Sequence, residues 1–596
     1  MREHRPPRPR ITLNIGITGH RASVLSPEVV ERTSPIIERV FADLRAATEF
    51  LHVENRDLFS AEPPQLRLHT PLATGADQMA ATVARRTGFE VRALLPLAAD
   101  DYDADFKRGR EKREFAQHLE LAHEVFALPS EGADRNAAYV QVGRAVVASC
   151  DVLIAVWDGR DGNGPGGTAY VVDLALNLSV PVIHVPIDRD TGTPGEPRLI
   201  FGRDIIDYSA RPLEGREDVT ELVADVLLPR DTSERGHALE YFEEQEKTAN
   251  WRIEYPLLLS LLRVKKLPKR FWHQTSIADD IAYEWKDVRD PGPEETRRPF
   301  AWSYGWANFL AIRYAQLFRS GHITNYVLSA LAVNLALFGL IAPAIKIYLV
   351  MAELGVIGLL FCNTNAGTQG DWHRKWLQYR YLAETLRPFL YLKRTGLVGP
   401  PFRNEYAHAP MHRRGGADWT RWYAAAVWRQ MGWPNGELTS EGIRQLATDA
   451  VTEQLLPQAA YHKVNAERMH KLDHRLHEIG NFLMGAVIAA CFLYLIGYFV
   501  MHDWTKSLTG PFIFLTAGLP AIGAAVFGMR GHGEHLLAAS RSAHTVEALT
   551  GNVTRLRQAT QLDALARELE ASAGTMLADL NEWTASYSER SLEIPA

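Results

Sequence analysis

Three glycine-bearing loops carry the residue types that hold phosphate groups in proteins. They read TGHR, ATGAD and WDGRDGNGPGGTA. Glycine lets the backbone approach an anion closely, and a neighbouring histidine or arginine can neutralise phosphate charge. Each loop alone is a weak signal, since GPGG also forms flexible turns and an aspartate after TGA also caps helices. The candidate ligand-binding residues in the loops are Thr18, Gly19, His20, Arg21, Thr74, Gly75, Asp77, Asp158, Gly159, Gly166, Gly167 and Thr168.

The stretch DRNAAYVQVGRAVVASCD adds a helical face just before the third loop. Arg135, Tyr139 and Gly143 recur at i, i+4 and i+8, so they share one side of a predicted helix. Arg135 is a candidate phosphate ligand, and Tyr139 is either a stacking partner for a nucleobase or an ordinary core residue. These residue types predict a site for a phosphate-bearing ligand and leave open whether that ligand is cut or only sensed.

Apolar strand patterns precede the loops and alternate with helical stretches. We predict strands at 11–17, 66–72, 90–96, 123–129, 151–157 and 180–186. This alternation predicts an α/β domain with a doubly wound, mostly parallel, Rossmann-like sheet. Ligands of such sheets bind beyond the carboxyl ends of the strands, which is where the loops after the first, second and fifth strands lie. Three candidate loops at one edge support a shared site better than any one of them does.

The second half of the chain contains apolar segments long enough to cross a membrane. About 20 apolar residues cross a hydrocarbon core of roughly 30 Å as a helix. Glu353 lies within the second segment, where a charge is costly, so a buried helix of a soluble domain is the alternative there. We predict an all-α membrane domain of four transmembrane helices in two hairpins, with spans at about 324–345, 347–363, 480–501 and 509–529.

Arginine and lysine residues concentrate at one end of these spans. They are Arg313, Arg319, Arg374, Lys375, Arg380, Arg468, Lys471, Arg475 and Arg530. Such an excess faces the cytoplasm in membrane proteins, so the chain is expected to be a multi-pass membrane protein with this end of the spans inside the cell. Both termini are then expected to be cytoplasmic.

Each predicted hairpin is entered and left by a long polar helix, so the two hairpins resemble repeats of one unit. The expected organisation is a basic tail (1–10), an α/β domain (11–190), an extension or transmission region (191–299), a first membrane unit (300–395), a cytoplasmic insertion (396–454) and a second membrane unit with C-terminal helices (455–596). The second unit also carries His470, His474, His477, His532, Glu534 and His535. These residues suit a metal or pH-sensing site, but a solvated face beside the membrane is favoured because no fixed ligand spacing is present.

Composition limits the classes of partner. The 596 residues exceed one domain, and a net charge of -6 without a long basic run argues against nucleic acid. Three cysteines, Cys150, Cys362 and Cys491, lack the spacing of a metal site or disulfide framework. Neither a metal nor a resident cofactor is therefore expected.

The order of GITGHR, ATGADQMAA, LLPL, DRNAAYVQVGRAVVASCDVLIAVWDG and GPGGTAYVV resembles the SLOG family. That Rossmann-like group includes the LOG phosphoribohydrolases and the DprA proteins, and the likeness covers about residues 10–190. The membrane half, with YRYLAETLRPF, resembles the SLATT family of two-transmembrane effectors. The resemblance implies a homo-oligomeric effector of bacterial antiviral defence, acting by abortive infection. Such an effector is expected to sense a cyclic nucleotide or NAD derivative made by a nucleotidyltransferase or TIR-type enzyme, and to permeabilise the inner membrane.

The same resemblance bears on whether the ligand is cut. LOG hydrolases carry PGGxGTxEE, in which glutamate takes part in cleaving an N-glycosidic bond. Here the run is PGGTAYVV, and Tyr170 and Val171 stand where the glutamates would be. Neither side chain supplies the carboxylate that this cleavage uses, so sensing is favoured over catalysis. A membrane-anchored nucleotide phosphoribohydrolase or NAD-cleaving enzyme is the alternative, with Asp158 or Asp173 as the substitute carboxylate.

Overall fold

A computed structural model gives the structure of the chain. It describes residues 4–107, 109–129, 134–160, 164–203, 208–229, 231–249, 252–267, 269, 271–286, 288, 294–401, 418–432, 434–500, 508–533 and 535–587.

The N-terminal half folds around a sheet that contains all six predicted strands, with ends that differ by at most two residues from the prediction. The strands are β1 (Thr12–Gly19), β2 (Gln65–Thr70), β3 (Glu90–Leu95), β4 (Glu124–Ala127), β5 (Val152–Trp157), β6 (Val182–Pro186), β7 (Arg198–Arg203), β8 (Tyr208–Pro212) and β9 (Gly436–Glu437). Both faces of β1 and β5 are buried along almost their full length, because helices cover the sheet on both sides.

The strand order creates a topological switch point beside β1. The described sheet runs β8-β7-β6-β5-β1-β2-β3-β4-β9, parallel except for β7 and β8. The chain therefore winds outward from β1 through β4 and then returns to the other side of β1 with β5 and β6. In open α/β sheets this reversal opens a crevice at the carboxyl ends of the two central strands. The N-terminal half is thus an α/β domain with a mixed sheet.

Helices follow most of these strands and continue into the C-terminal half. They are α1 (Pro27–Glu54), α2 (Ala76–Arg86), α3 (Ala99–Asp103), α4 (Arg110–Glu120), α5 (Arg135–Ser149), α6 (Thr168–Asn177), α7 (Arg216–Leu227), α8 (Thr232–Glu243), α9 (Glu254–Leu261), α10 (Ile277–Trp285), α11 (Glu294–Ile341), α12 (Lys346–Gln369), α13 (Trp372–Leu386), α14 (Phe389–Thr395), α15 (Asp418–Gln430), α16 (Ser440–Asp449), α17 (Leu456–Val500), α18 (Thr509–Gly533), α19 (His535–Gln558) and α20 (Leu562–Tyr587).

The described part of the segment 396–454 is built into the α/β domain. Strand β9 pairs in parallel with β4, and Leu438 N donates to Ala127 O at 3.0 Å. From α15, Arg429 Nε lies 2.8 Å from Asp151 Oδ1, at the start of β5. The backbone oxygen of Arg429 accepts from the buried Arg67 on β2 at 2.8 Å. Glycine- and proline-rich breaks predicted a cytoplasmic insertion between two membrane units, and these long-range contacts pack its described part against the sheet of the α/β domain.

Four helices of the C-terminal half are long and apolar enough to cross a membrane, as predicted. They include α11, α12, α17 and α18, and their most apolar windows are between 0% and 22% buried. In α12 that window is 6% buried around Glu353, unlike a helix in the core of a soluble domain. The arrangement is consistent with a multi-pass membrane protein.

Polar contacts and close approaches join these four helices side by side. Asn363 Nδ2 on α12 donates to Asn325 Oδ1 on α11 at 2.7 Å. Gly518 on α18 lies so close to Asn334 on α11 that an added Cβ would be 2.5 Å from Asn334 Oδ1. Because α17 packs on α18 and α12 on α11, the helices form the order α12, α11, α18 and α17.

Candidate functional site

The loops after β1 and β5 meet at the switch point. His20 N donates to Val156 O at 3.0 Å, and Asp158 N donates to His20 Nε2 at 3.2 Å. Burial lowers the pKa of His20, although the nearby Asp158 opposes the shift. His20 Nε2 also lies 3.3 Å from Asp158 Oδ1, so His20 contacts both the backbone and the carboxylate of Asp158 and positions the loop after β5. The carboxylate of Asp158 is only 4% exposed and lies 3.2 Å from Arg189 Nε.

The loop after β2 interlocks with the loop after β1. Ala76 N donates to His20 O at 3.1 Å. Gly75 caps α2 with φ +97°, and an added Cβ would lie 2.5 Å from His20 O and 2.7 Å from the carbonyl carbon of Arg21. Only glycine adopts this backbone conformation readily, so the contact between the two loops depends on it. Thr74 is half-buried beside Gly75.

Asp77 lies buried under this junction and accepts from Ala73 N at 3.2 Å. Burial raises the pKa of Asp77 to about 7, against the opposing effects of the Ala73 hydrogen bond and the Arg21 charge. One reading of the sequence made Asp77 a helix cap, but Gly75 is the N-cap residue of α2 and has no side-chain cap hydrogen bond; Asp77, in the first turn, instead holds the Ala73 amide of the preceding loop.

Ionisation of Asp77 is expected to limit stability near neutral pH. A carboxyl whose folded pKa is raised contributes stability that is present below its unfolded pKa of about 3.9 and is lost as pH rises through about 7. Asp77→Asn removes the charge, so its melting temperature should exceed that of the wild type by a margin that grows from pH 4 to pH 7 and then levels off. At about 1.36 kcal/mol per pKa unit, the full difference is a few kcal/mol. Thermal unfolding of the detergent-solubilised chain at a series of pH values measures it, and a constant margin would contradict the assignment.

The first turns of α5 complete the site. Arg21 places its guanidinium carbon 4.9 Å from the Tyr139 ring centroid. Arg135 Nη1 and the Tyr139 hydroxyl both donate to the carboxylate of Asp105, whose side chain is 19% exposed. Tyr139 is partly buried: it packs against the hydrophobic core, and its hydroxyl lies at the candidate site. Arg135 and Tyr139 are thus two donors to one carboxylate, and the Arg21 guanidinium lies over the Tyr139 ring beside them.

The glycine-rich loop lies against the same helix. An added Cβ at Gly166 would lie 3.3 Å from Val140 N and 3.4 Å from Tyr139 Cβ. Gly167 caps α6 without a side-chain hydrogen bond, and Thr168 is the first residue of that helix. The amide groups of a helix N-terminus favour an anion. Gly159 turns the chain after Asp158 with φ +79°, near the ring of His184.

The structure thus brings the predicted loops into one chain of contacts. Thr18 and Gly19 end β1 and pair with Ala155 and Val156 of β5. Contacts then run from His20 to the β5 loop, from Arg21 to α5, and from α5 to the glycine-rich loop. Sequence reasoning missed Asp105, which follows β3 and α3, and Arg189, which follows β6. Both lie on loops at the carboxyl ends of strands, so their position relative to the strands was the available signal.

The carboxylates near the third loop are already engaged. Asp158 pairs with Arg189. Asp173 accepts from the Tyr208 hydroxyl at 2.8 Å, on the side of α6 that faces β8. Asp161 lies outside the described residues. Val171 is buried against Gly143, and Tyr170 is half-buried.

The histidines beside the membrane helices have separate partners. Arg530 donates to His477 Nδ1 at 3.2 Å, and the Tyr326 hydroxyl contacts His532 Nδ1. Burial lowers the pKa of His535 to about 4. Glu534 lies outside the described residues. Among the residues that the structure describes, no three His, Cys, Asp or Glu side chains are grouped as metal ligands.

Helix α5 also contacts the C-terminal helices. Its residues Gln141 and Arg144 donate to the two carboxylate oxygens of Asp563, at 2.9 Å and 2.8 Å. Asp563 lies in the first turn of α20, which packs against α19, and α19 packs along α17. One helix therefore links the candidate site to the helices that continue from the apolar spans.

Comparisons with known proteins complete this description. No protein-family model matches the chain, and neither a curated protein nor a solved structure matches it.

Proposed function

We propose that the chain is a membrane effector of bacterial antiviral defence, in which the α/β domain senses a nucleotide-derived signal and controls pore formation or membrane disruption by the apolar helices. The observation that carries this proposal is the double role of α5. Arg135 and Tyr139 lie at the switch-point site, while Gln141 and Arg144 hold Asp563 of α20. A ligand that moves α5 therefore acts directly on the C-terminal helices.

The Asp105 carboxylate suggests how binding differs between two states. It occupies the position of an anion among Arg135, Tyr139 and the neighbouring Arg21. A phosphate offers more acceptor oxygens and more charge than a carboxylate, so it competes for the same donors. A ligand shifts an equilibrium only through its differential affinity for two states. That difference arises when a ligand phosphate replaces the Asp105 carboxylate as the acceptor for Arg135 and Tyr139 in α5.

The signal is a cyclic nucleotide or an NAD derivative, in keeping with a candidate phosphate site beside the partly buried Tyr139 ring. Its source is a nucleotidyltransferase or TIR-type enzyme. Helices α12 and α17 flank the row of apolar helices and leave side chains such as Leu354 and Phe499 exposed, 64% and 82% respectively. These faces suit lipid of the inner membrane and further copies of the chain in a homo-oligomer.

A second candidate is a membrane-anchored nucleotide hydrolase. The nearly buried Asp158, at the switch point, favours it, because a catalytic carboxylate has to lie close to the glycosidic bond. Its pairing with Arg189 favours a structural role instead. The ligand's fate distinguishes the two candidates.

We expect the purified chain to return its ligands intact. Mixed with nucleoside monophosphates, NAD or cyclic nucleotides, it should release no free base or nicotinamide above the protein-free background, because Tyr170 and Val171 supply no catalytic carboxylate. Chromatography of the reaction mixture measures the release. Release that disappears in Asp158→Asn or Asp173→Asn would instead assign the chain to the hydrolases.

A further inference from the structure

Helix α9 and the turn after it present an amphipathic surface to solvent. We call this the α9 surface and define it by Leu257, Leu261, Lys265, Lys266, Lys269 and Trp272. Leu257, Leu261 and Trp272 are 42%, 71% and 48% exposed, which is unusual for three large apolar side chains within sixteen positions. The three lysines are exposed as well. The surface thus combines apolar side chains with a positive cluster.

The opposite side of α9 is fixed to the ends of the apolar helices. Leu259 is buried against Leu472, Leu476 and Val526, from α17 and α18. Tyr255 N donates to Ser320 Oγ on α11 at 3.2 Å. Just before α9, Arg252 Nη1 donates to Asn363 Oδ1 on α12 at 2.7 Å.

These contacts place α9 beside one end of the four apolar helices. Ser320 precedes the first apolar span, Asn363 ends the second, Leu476 precedes the third and Val526 lies near the end of the fourth. All four positions lie at the end of the spans that carries the arginine and lysine excess. Helix α9 therefore lies where the polar headgroups of the inner leaflet would surround a bilayer-spanning bundle.

We propose that the α9 surface docks on the anionic headgroup layer of the bilayer that the four helices cross. Apolar side chains of an interfacial helix enter the boundary between headgroups and acyl chains, while lysines reach anionic headgroups. The order of residues along the chain fits this arrangement, with leucines on the helix, lysines in the turn and a tryptophan after it. The α9 surface attaches to the membrane independently of any ligand at the α/β site.

Spin-label depth measurements in nanodiscs test the docking. In a chain with Cys150, Cys362 and Cys491 replaced by alanine, Leu261→Cys carries a nitroxide, and Phe50→Cys on α1 serves as the control label. We expect the label at 261 to be accessible to oxygen and shielded from a water-soluble nickel chelate. The shielding should increase when phosphatidylglycerol is added to phosphatidylcholine discs. The label at 50 should stay open to the chelate in both.

Charge reversal tests the lysine contribution. Lys265→Glu, Lys266→Glu and Lys269→Glu together should abolish the effect of phosphatidylglycerol on the label at 261. The matched control, Arg56→Glu, Arg86→Glu and Arg216→Glu, changes the net charge equally on exposed positions of the α/β domain and should retain the effect. High salt should weaken the effect in the chain with intact lysines, which gives a readout that needs no charge variant.

Two results would overturn the proposal. A label at 261 that is as open to the chelate as the label at 50 would show that the surface faces water. Shielding that is unchanged by phosphatidylglycerol, by salt and by the lysine substitutions would assign the leucines to another protein surface, such as a second copy of the chain. No nucleotide is added in this experiment, so its outcome is separate from that of the sensing proposal.

Discussion

Liposomes that carry the purified chain should release a trapped dye when the cognate nucleotide is added, and should stay sealed without it. The apolar helices already have the length to cross the bilayer, so the added ligand has only to change how the α/β domain holds them. Dye release against time, for a panel of cyclic nucleotides and NAD derivatives, identifies the ligand and measures the response. Steady ligand turnover without release would contradict the effector proposal and favour the hydrolase.

Two classes of variant separate ligand binding from its consequence. Arg21→Glu places a negative charge beside Tyr139, and Gly167→Phe fills the N-terminus of α6, so both should abolish ligand binding and release. Both should leave the chain inserted in the membrane, because the loops and the spans are separate structures. Equilibrium binding and resistance of the membrane-bound chain to alkaline extraction are the paired measurements. Ligand binding that survives both changes would place the site elsewhere.

The second class of variant changes the contact between α5 and α20, and should alter the response to the ligand more than its binding. Arg144→Glu puts a negative charge against Asp563 and breaks one of its two charge-assisted hydrogen bonds, which lie on half-exposed side chains. The loss is on the order of 1–2 kcal/mol, so the ligand concentration for half-maximal release should change roughly tenfold while direct binding changes less. The exchanged pair, Arg144→Glu with Asp563→Arg, should recover part of the response. Recovery distinguishes a specific coupling contact from general damage.

Gly75→Ala should be the most destabilising single substitution in the candidate site. The new methyl group would meet the backbone of the β1 loop at 2.5–2.8 Å, and the residue would have to keep φ +97°. Positive-φ strain costs on the order of 1–3 kcal/mol, and forced overpacking costs a similar amount. We therefore expect a loss of about 2–6 kcal/mol, measured as a lower melting temperature, together with lost ligand binding because the β1 and β2 loops separate.

Gly109→Ala is the matched control. Gly109 also caps a helix, α4, with φ +92°, but an added Cβ there would meet nothing within 4 Å. Gly109→Ala should lose only the stability that backbone strain costs, about 1–3 kcal/mol, and should leave ligand binding intact. Equal effects at the two positions would show that the interlocked loops contribute nothing beyond backbone strain.

The sequence by itself determined the local elements. Short apolar runs located six strands of the sheet to within two residues, because strands that are buried on both faces consist mostly of apolar residues. Long apolar stretches, the second of which contains Glu353, located four helices of membrane-crossing length. Glycines after β1, β2 and β5 marked loops at the carboxyl ends of parallel strands. These features depend on neighbouring residues, so short windows of sequence carry them.

Only the tertiary structure decided which residues that are far apart in the sequence make contact. The segment 396–454 reads as a polar insertion, yet Arg429 reaches Asp151, 278 positions away, and β9 extends the sheet beside β4. Asp105 and Arg189 lie at the site, although no local motif marks them, because strand order alone brings their loops beside β1 and β5. The contact of Arg144 with Asp563 spans 419 positions. Such contacts depend on how whole elements pack. The residue pattern of a strand or a helix does not indicate which distant element it contacts.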